Sequence, residues 1–274
     1  MENPVSQKPD FGAVAHKWVK WEDWLDPCYQ ILNDGLLQGA GISEGKAVLD
    51  LGCGTGQPAL LEAKLVGASG SVIGVDISNE MLEVARKRVA VENLKNVDFR
   101  QCDIDELPFP DAVFDAVTSR FCLMFVTSID KTLRETFRVL KPGARFCASV
   151  WADPEKNPLP RKILEMHYAL PAPDPAVPGP FRFSQQGLLK RLMKEAGFVD
   201  LTETELEVRE QFIDGHHYLE HILEASALWG ALLRKLDQER FTQATSAVVS
   251  AAEQFRSGDR VRIPRTAWIV SGRK

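Results

Sequence analysis

No stretch of this 274-residue chain approaches the ~18 consecutive apolar residues that suggest a membrane span. Residues 1–10 are polar, include two prolines and lack the apolar segment of a secretory signal, so the expected location is cytoplasmic. Cysteine is sparse and unpatterned. Cys28, Cys53, Cys102, Cys122 and Cys147 are widely spaced, odd in number and never C-x-x-C, which argues against a disulfide framework or a metal site. The formal net charge is −5 and Lys and Arg are scattered, so the basic stripe of a nucleic-acid-binding surface is missing. There is no internal repeat. A chain of this length holds one large α/β domain with an added lid, or at most two small domains.

Against that background one segment stands out, Val48-Leu49-Asp50-Leu51-Gly52-Cys53-Gly54-Thr55-Gly56. It reads as a buried strand entering a glycine loop, with a carboxylate two residues before the first glycine. Such loops cradle nucleotide ligands because backbone N–H groups can approach where side chains are missing. Asp50 narrows the ligand. It would repel the pyrophosphate of a dinucleotide, whereas S-adenosylmethionine has no phosphate and carries a positive ammonium and sulfonium. The spacing G-x-G-x-G also departs from the dinucleotide pattern G-x-G-x-x-G. Gln57 to Leu65 then reads as an amphipathic helix with Pro58 near its first turn. Ser71 to Asp76 is a second apolar strand ending in an acid, placed to bind both hydroxyls of a ribose.

These residues resemble the class I S-adenosylmethionine-dependent methyltransferases, in the broad branch that includes quinone-biosynthesis C-methyltransferases and many natural-product enzymes. The likeness runs from about Val48 to Val150. The resemblance implies a Rossmann-like α/β fold, with a seven-stranded, mostly parallel sheet whose last strand is antiparallel and helices on both faces. It assigns cofactor contacts to Asp50, Gly52, Cys53, Gly54 and Gly56, to Asp76, Ile77 and Met81, to Cys102, Asp103 and Ile104, and to Arg120 and Phe121. Asp76 matches the ribose acid and Asp103 the residue facing the adenine amine, and no metal is implied. The cofactor would be S-adenosyl-L-methionine and its product S-adenosyl-L-homocysteine.

Alternating strand and helix patterns place strands near residues 47–51, 71–76, 97–101, 114–118, 144–150, 198–208 and 265–270, with helices at 79–91 and 131–139. Eight prolines in residues 152–183 exclude one continuous helix there, although 161–169 fits a short one. Ser184 is placed to cap a helix through Met193 that ends at Gly197. Residues 211–260 are helical in pattern and too long for a simple connection, so they and 152–183 read as lid insertions, with an oligomer interface as the alternative. Residues 1–40 read as a helical flap, on which Trp18, Trp21 and Trp24 form a slowly drifting stripe, and residues 41–274 as the methyltransferase domain.

Methyl transfer from a sulfonium needs mainly alignment, and a base only where the acceptor must lose a proton. The five histidines, His16, His167, His216, His217 and His221, all lie outside the cofactor core. His16 and His167 are the catalytic candidates. Some relatives carry histidines just after the fourth strand, but here that stretch is the apolar Cys122-Leu123-Met124-Phe125-Val126. The expected activity is methyl transfer to a small, partly apolar organic acceptor, with oxygen or nitrogen favoured. C-methylation of a quinone-like ring, a non-catalytic S-adenosylmethionine-binding module and an NAD-dependent oxidoreductase are the alternatives. Neither oligomeric state nor acceptor is readable.

Overall fold

The structure, a computed structural model, describes residues 9–157, 161–165, 168 and 174–274. One 26-residue helix, α1 (Ala15–Ala40), precedes the first strand, β1 (Ala47–Leu51). There follow α2 (Ala59–Val66), β2 (Ser71–Asp76), α3 (Asn79–Glu92), β3 (Val97–Gln101), β4 (Phe114–Arg120), α4 (Ile129–Val139) and β5 (Leu140–Trp151). The second half adds α5 (Arg161–Leu164), α6 (Leu188–Glu195) and β6 (Val199–Phe212), then α7 (Gly215–Ala225), α8 (Trp229–Arg234) and α9 (Gln238–Glu253). The two-residue β7 (Arg256–Ser257) and the long β8 (Arg260–Arg273) close the chain.

The sheet order is β3-β2-β1-β4-β5-β8-β6, with β8 antiparallel to both neighbours and β7 paired to β8. The expected seven strands are therefore joined by an eighth, too short to carry a periodic signal. Strands β1 and β2 are nearly continuous apolar runs because both of their faces are covered. Side-chain alternation sends Leu49 and Leu51 to the face packed by α4 and α6, and Val48 to the face packed by α1, α2 and α3. Asp50 shares the Val48 face, so it points toward α2.

Several expectations are corrected. Ser184 caps no helix: α6 starts at Leu188, because Gly187 adopts a left-handed φ of 80°, and the Ser184 carbonyl instead accepts from Trp268 Nε1 at 2.9 Å. Strands β6 and β8 each run to 14 residues, beyond the expected bounds. Their overhanging ends (Val208–Phe212 against Val261–Arg265) carry α7, α8 and α9 beyond the strand ends of the parallel sheet. Those helices form a separate core with Trp21, Leu25, Phe212, Tyr218, Ile222, Leu233 and Val248.

The tryptophans follow one drifting side of α1: Trp18 and Trp21 pack in the same core, and Trp21 and Trp24 both meet the His217 ring, at 4.9 and 4.8 Å. Each three-residue step turns a helical side chain back by about 60°. Trp21 is consequently buried, donating from Nε1 to Glu224 at 2.9 Å, whereas Trp18 is half-buried and Trp24 is 38% exposed, donating to the Gln211 carbonyl. The second half of α1 is integral to the sheet core through Leu32, Leu36 and Ala40. Among the described residues no helix is long and apolar enough to cross a membrane. His167 and the end of the helix expected at 161–169 lie outside the described residues.

Candidate active site

The carboxyl ends of β1, β2 and β4 meet at the glycine loop, where open α/β sheets bind ligands. Gly52 and Gly54 take left-handed φ values of 68° and 52°. A Cβ at Gly52 would lie 2.2 Å from Cys122 Sγ, so the loop can approach the end of β4 only without a side chain there. A Cβ at Gly54 would meet nothing within 4 Å, which leaves its backbone open to a ligand. The Gly54 N–H donates to Asp76 Oδ2 at 2.9 Å, and the Ser78 N–H donates to Oδ1 at 2.9 Å. Asp76 thus ties the loop to the start of α3.

Asp50 is fully buried, and neither carboxylate oxygen has a hydrogen-bond partner among the described residues. Glu62, fully buried on α2, accepts from Thr118 Oγ1 at 2.6 Å through Oε1, while its Oε2 and Gln57 Oε1 have no partner among those residues. Burial drives both carboxyl groups above the ordinary range. Asp50 reaches about 7, with Arg120 pulling it down and Asp76 pushing it up, and the Asp50 charge raises Glu62 further. The orphaned atoms are all acceptors. A ligand with several N–H donors and a positive charge fits them, and a pyrophosphate does not.

Helix α1 crosses this site. Glu22, buried, accepts from Thr55 Oγ1 at 2.5 Å and from Arg120 Nη2 at 2.8 Å, and also pairs with Arg88 on α3. Arg120 Nη1 donates to Asn33 Oδ1 at 3.2 Å, and Gln57 Nε2 to Asp26 at 3.1 Å. The glycine loop, α3 and β4 are thereby bound to one helix. Beside Arg120, Phe121 holds a φ of 55°, a conformation costing ~1–3 kcal/mol for a bulky residue. Its N–H donates to the Ser149 carbonyl at 3.0 Å, and its ring stacks on Trp151 at 4.0 Å and meets Tyr29 edge-on at 6.1 Å.

The other expected cofactor residues line the same rim. Cys53 is buried under the loop, Met81 packs with the start of α1, and Ile77 is 50% exposed. Ile104 is buried, Asp103 is exposed and accepts the Asp105 N–H at 3.0 Å, and Cys102 donates to the Asp103 carbonyl. Burial raises Cys102 to about 11 and Cys53 well above its ordinary value, so neither is a ready nucleophile. His16 is exposed on the first turn of α1, and the structure does not gather it with these groups. Glu22, Glu62, Tyr29 and Trp151 escaped sequence reasoning. Only Glu62 left a signal, as the lone acid in the apolar run Ala59–Val66.

Comparison with known proteins agrees with this geometry. A family model described as a methyltransferase domain matches residues 42–197. Over 203 residues the chain is 37% identical to the ubiquinone/menaquinone biosynthesis C-methyltransferase UbiE of Vibrio campbellii, covering 69% of this chain and 78% of that one. A SAM-dependent methyltransferase from Aquifex aeolicus superimposes with a TM-score of 0.53 and 26% identity, covering 69% of this chain and 92% of that one. The YcgJ protein of Bacillus subtilis shares the fold, with a TM-score of 0.58 at 21% identity over 91% of this chain and 98% of that one. By the matched domain and by its identity to the curated relatives, this chain belongs to the class I S-adenosylmethionine-dependent methyltransferases.

Proposed function

We propose that this methyltransferase alkylates a ring carbon of a small hydroxylated aromatic acceptor of the quinol type. The observation that carries the reading is the aromatic cluster beside the end of β4, where Phe121 stacks on Trp151 and meets Tyr29 edge-on. An aromatic cluster of this kind offers faces and edges against which a planar ring packs. The relatives' name supports carbon over the oxygen or nitrogen favoured by sequence reasoning. The apolar stretch Cys122–Val126 also suits an acceptor that needs no histidine base in front of the methyl group.

The bound cofactor supplies an electrophilic methyl carbon on a sulfonium leaving group. Asp50 and Glu62 would hold its ammonium, Asp76 its ribose, and Gly54 would let the chain come close. Arg120 and Phe121 set where the acceptor lies, and an in-line arrangement contributes ~7–11 kcal/mol of the barrier reduction. Helices α7–α9 with the first half of α1 act as the lid, keeping water from the nucleophilic carbon. Transfer would form a carbon–carbon bond as the carbon–sulfur bond breaks, the thioether leaving as S-adenosylhomocysteine and the proton of the attacked carbon passing to water as the site opens.

The test is anaerobic incubation with 13C-methyl S-adenosylmethionine and 1,4-naphthalenediol, with the product read by carbon–proton correlation spectroscopy. A ring-attached methyl is expected. A methoxy signal alone would move the acceptor atom to oxygen, and cofactor binding without transfer to any of a panel of acceptors would favour a non-catalytic module.

The buried acids also predict a pH-linked affinity. With Asp50 near 7 beside Glu62, the free protein retains a proton on the pair near neutrality. The cationic ligand displaces that proton, so binding releases it and tightens as pH rises through about 7, by up to ~10-fold per pH unit. Above ~8 the ligand's own amino group deprotonates and affinity falls again. Calorimetry in buffers of different ionisation enthalpy should therefore find proton release near pH 6.5, and proton uptake or no exchange there would exclude the ammonium seat.

A further inference from the structure

A polar island lies in the otherwise apolar core formed by α1 and α7–α9. Glu210 on β6 is 2% exposed and Arg265 on β8 is 8% exposed. They approach only to 3.6 Å, with Arg265 Nη1 facing Glu210 Oε2. Tyr29 donates to Glu210 Oε1 at 2.5 Å, but Oε2 has no hydrogen bond among the described residues. Tyr218 on α7 is fully buried, and its hydroxyl likewise lacks a partner there, as does His221 Nδ1 one turn further on. Burial holds the Tyr218 phenol well above its ordinary pKa, so it remains a hydroxyl able to donate and to accept. Burial pushes His221 down to about 4, leaving a neutral imidazole.

Groups of this kind are a poor way to stabilise a core. Charges separated from water cost several kcal/mol each, and well-packed apolar residues commonly serve at least as well. The island adjoins the methyl-transfer end of the site through a continuous run of contacts. Arg265 lies over the Trp151 ring at 4.5 Å, Trp151 stacks on Phe121, and Tyr29 touches both Phe121 and Glu210. Trp151 packs against all three of the large cores, so it marks the junction where an acceptor would reach both the cofactor and the island.

We propose that Tyr218 and Glu210 anchor the acceptor's ring hydroxyl, Tyr218 donating to its oxygen and Glu210 Oε2 accepting its hydrogen, with Arg265 and Tyr29 positioning Glu210. This deepens the reading of the acceptor as a hydroxylated aromatic and rests on it for the identity of the ring. The anchored oxygen stands beside a guanidinium, which stabilises it as it acquires negative charge and so enriches the neighbouring ring carbon. His221 stands beside Tyr218, ring centroids 6.3 Å apart, as a neutral imidazole.

The test compares binding of 1-naphthol and naphthalene to the full-length protein saturated with S-adenosylhomocysteine, by tryptophan fluorescence. Wild type should prefer 1-naphthol by at least ~10-fold. Tyr218→Phe should remove most of that preference while leaving naphthalene and S-adenosylhomocysteine affinity unchanged and Tm no lower than wild type, because a buried hydroxyl without a partner costs the unliganded fold rather than stabilising it. Glu210→Gln should narrow the preference by a similar factor and serves as the second variant. A wild type without preference, or a preference that survives both substitutions, overturns the proposal. Methylation of 1,4-naphthalenediol at wild-type rate by Tyr218→Phe would also overturn it while leaving the proposed reaction intact. Hydroxyl-selective binding lost in both variants, with no transfer to naphthalenediol, would uphold the anchor and reject the reaction.

Discussion

Replacing Asp50 by asparagine is expected to weaken S-adenosylmethionine binding by about 30- to 150-fold, the equivalent of losing one charge-assisted interaction of ~2–3 kcal/mol. The shape is retained, so the loss isolates the charge. Two accompanying measurements separate this from damage to the loop. The fragment 5′-methylthioadenosine keeps the adenine and ribose but has no ammonium, and its affinity should be unchanged in the variant. The unliganded variant should also melt at a higher temperature than wild type at neutral pH. The sign follows from the raised pKa of Asp50. A carboxyl whose folded pKa exceeds its unfolded value contributes stability only while protonated, and that contribution is lost as pH rises through the folded pKa. Asparagine removes the buried charge and the penalty together. Equal loss for both ligands, or a lowered Tm, would mean that Asp50 acts by shaping the loop.

The second large effect is expected at Asp76. Alanine there should reduce the affinity for S-adenosylmethionine, S-adenosylhomocysteine and 5′-methylthioadenosine alike, by about 100-fold or more. Two ribose hydroxyls lose an ionised acceptor, each contact being worth ~1.5–3 kcal/mol. The Gly54 and Ser78 N–H groups lose theirs as well, so the loop is no longer held against α3. The pattern across the three ligands is diagnostic, since Asp50 distinguishes the fragment and Asp76 does not. Equilibrium dialysis with each ligand gives both answers. An Asp76→Ala protein that keeps 5′-methylthioadenosine affinity within a factor of three would remove the ribose assignment.

Much of the cofactor half was legible because its signals are local. Asp50, the three loop glycines and Asp76 lie within 27 residues of one another and belong to one β-α-β unit, in which strand and helix periods announce each element. Cys53, Met81 and Ile104, to which the resemblance assigns cofactor contacts, are buried. The opposite wall was illegible. Glu22 reaches Arg120 across 98 residues, and Tyr29 reaches Glu210 across 181. No period connects such positions, and their partners are chosen only when α1 is laid across the sheet. Among the histidines, His16 lies exposed on the first turn of α1, His167 falls outside the described residues, and burial makes His221 a weak base. The Trp18, Trp21 and Trp24 spacing gives a drifting stripe, and only packing set the different depth of each ring along it.

By itself the amino-acid order determined the doubly covered sheet and the glycine loop that follows its first strand, because each is written in neighbouring residues whose spacing matches a strand or helix repeat. Tertiary structure alone decided that Glu62 would face Asp50, that α1 would bridge three elements through Glu22, and that charged groups would be enclosed beneath α7. Those outcomes depend on which faces are buried together, and burial, by removing water, is what turns ordinary acids, phenols and imidazoles into groups with unsatisfied demands.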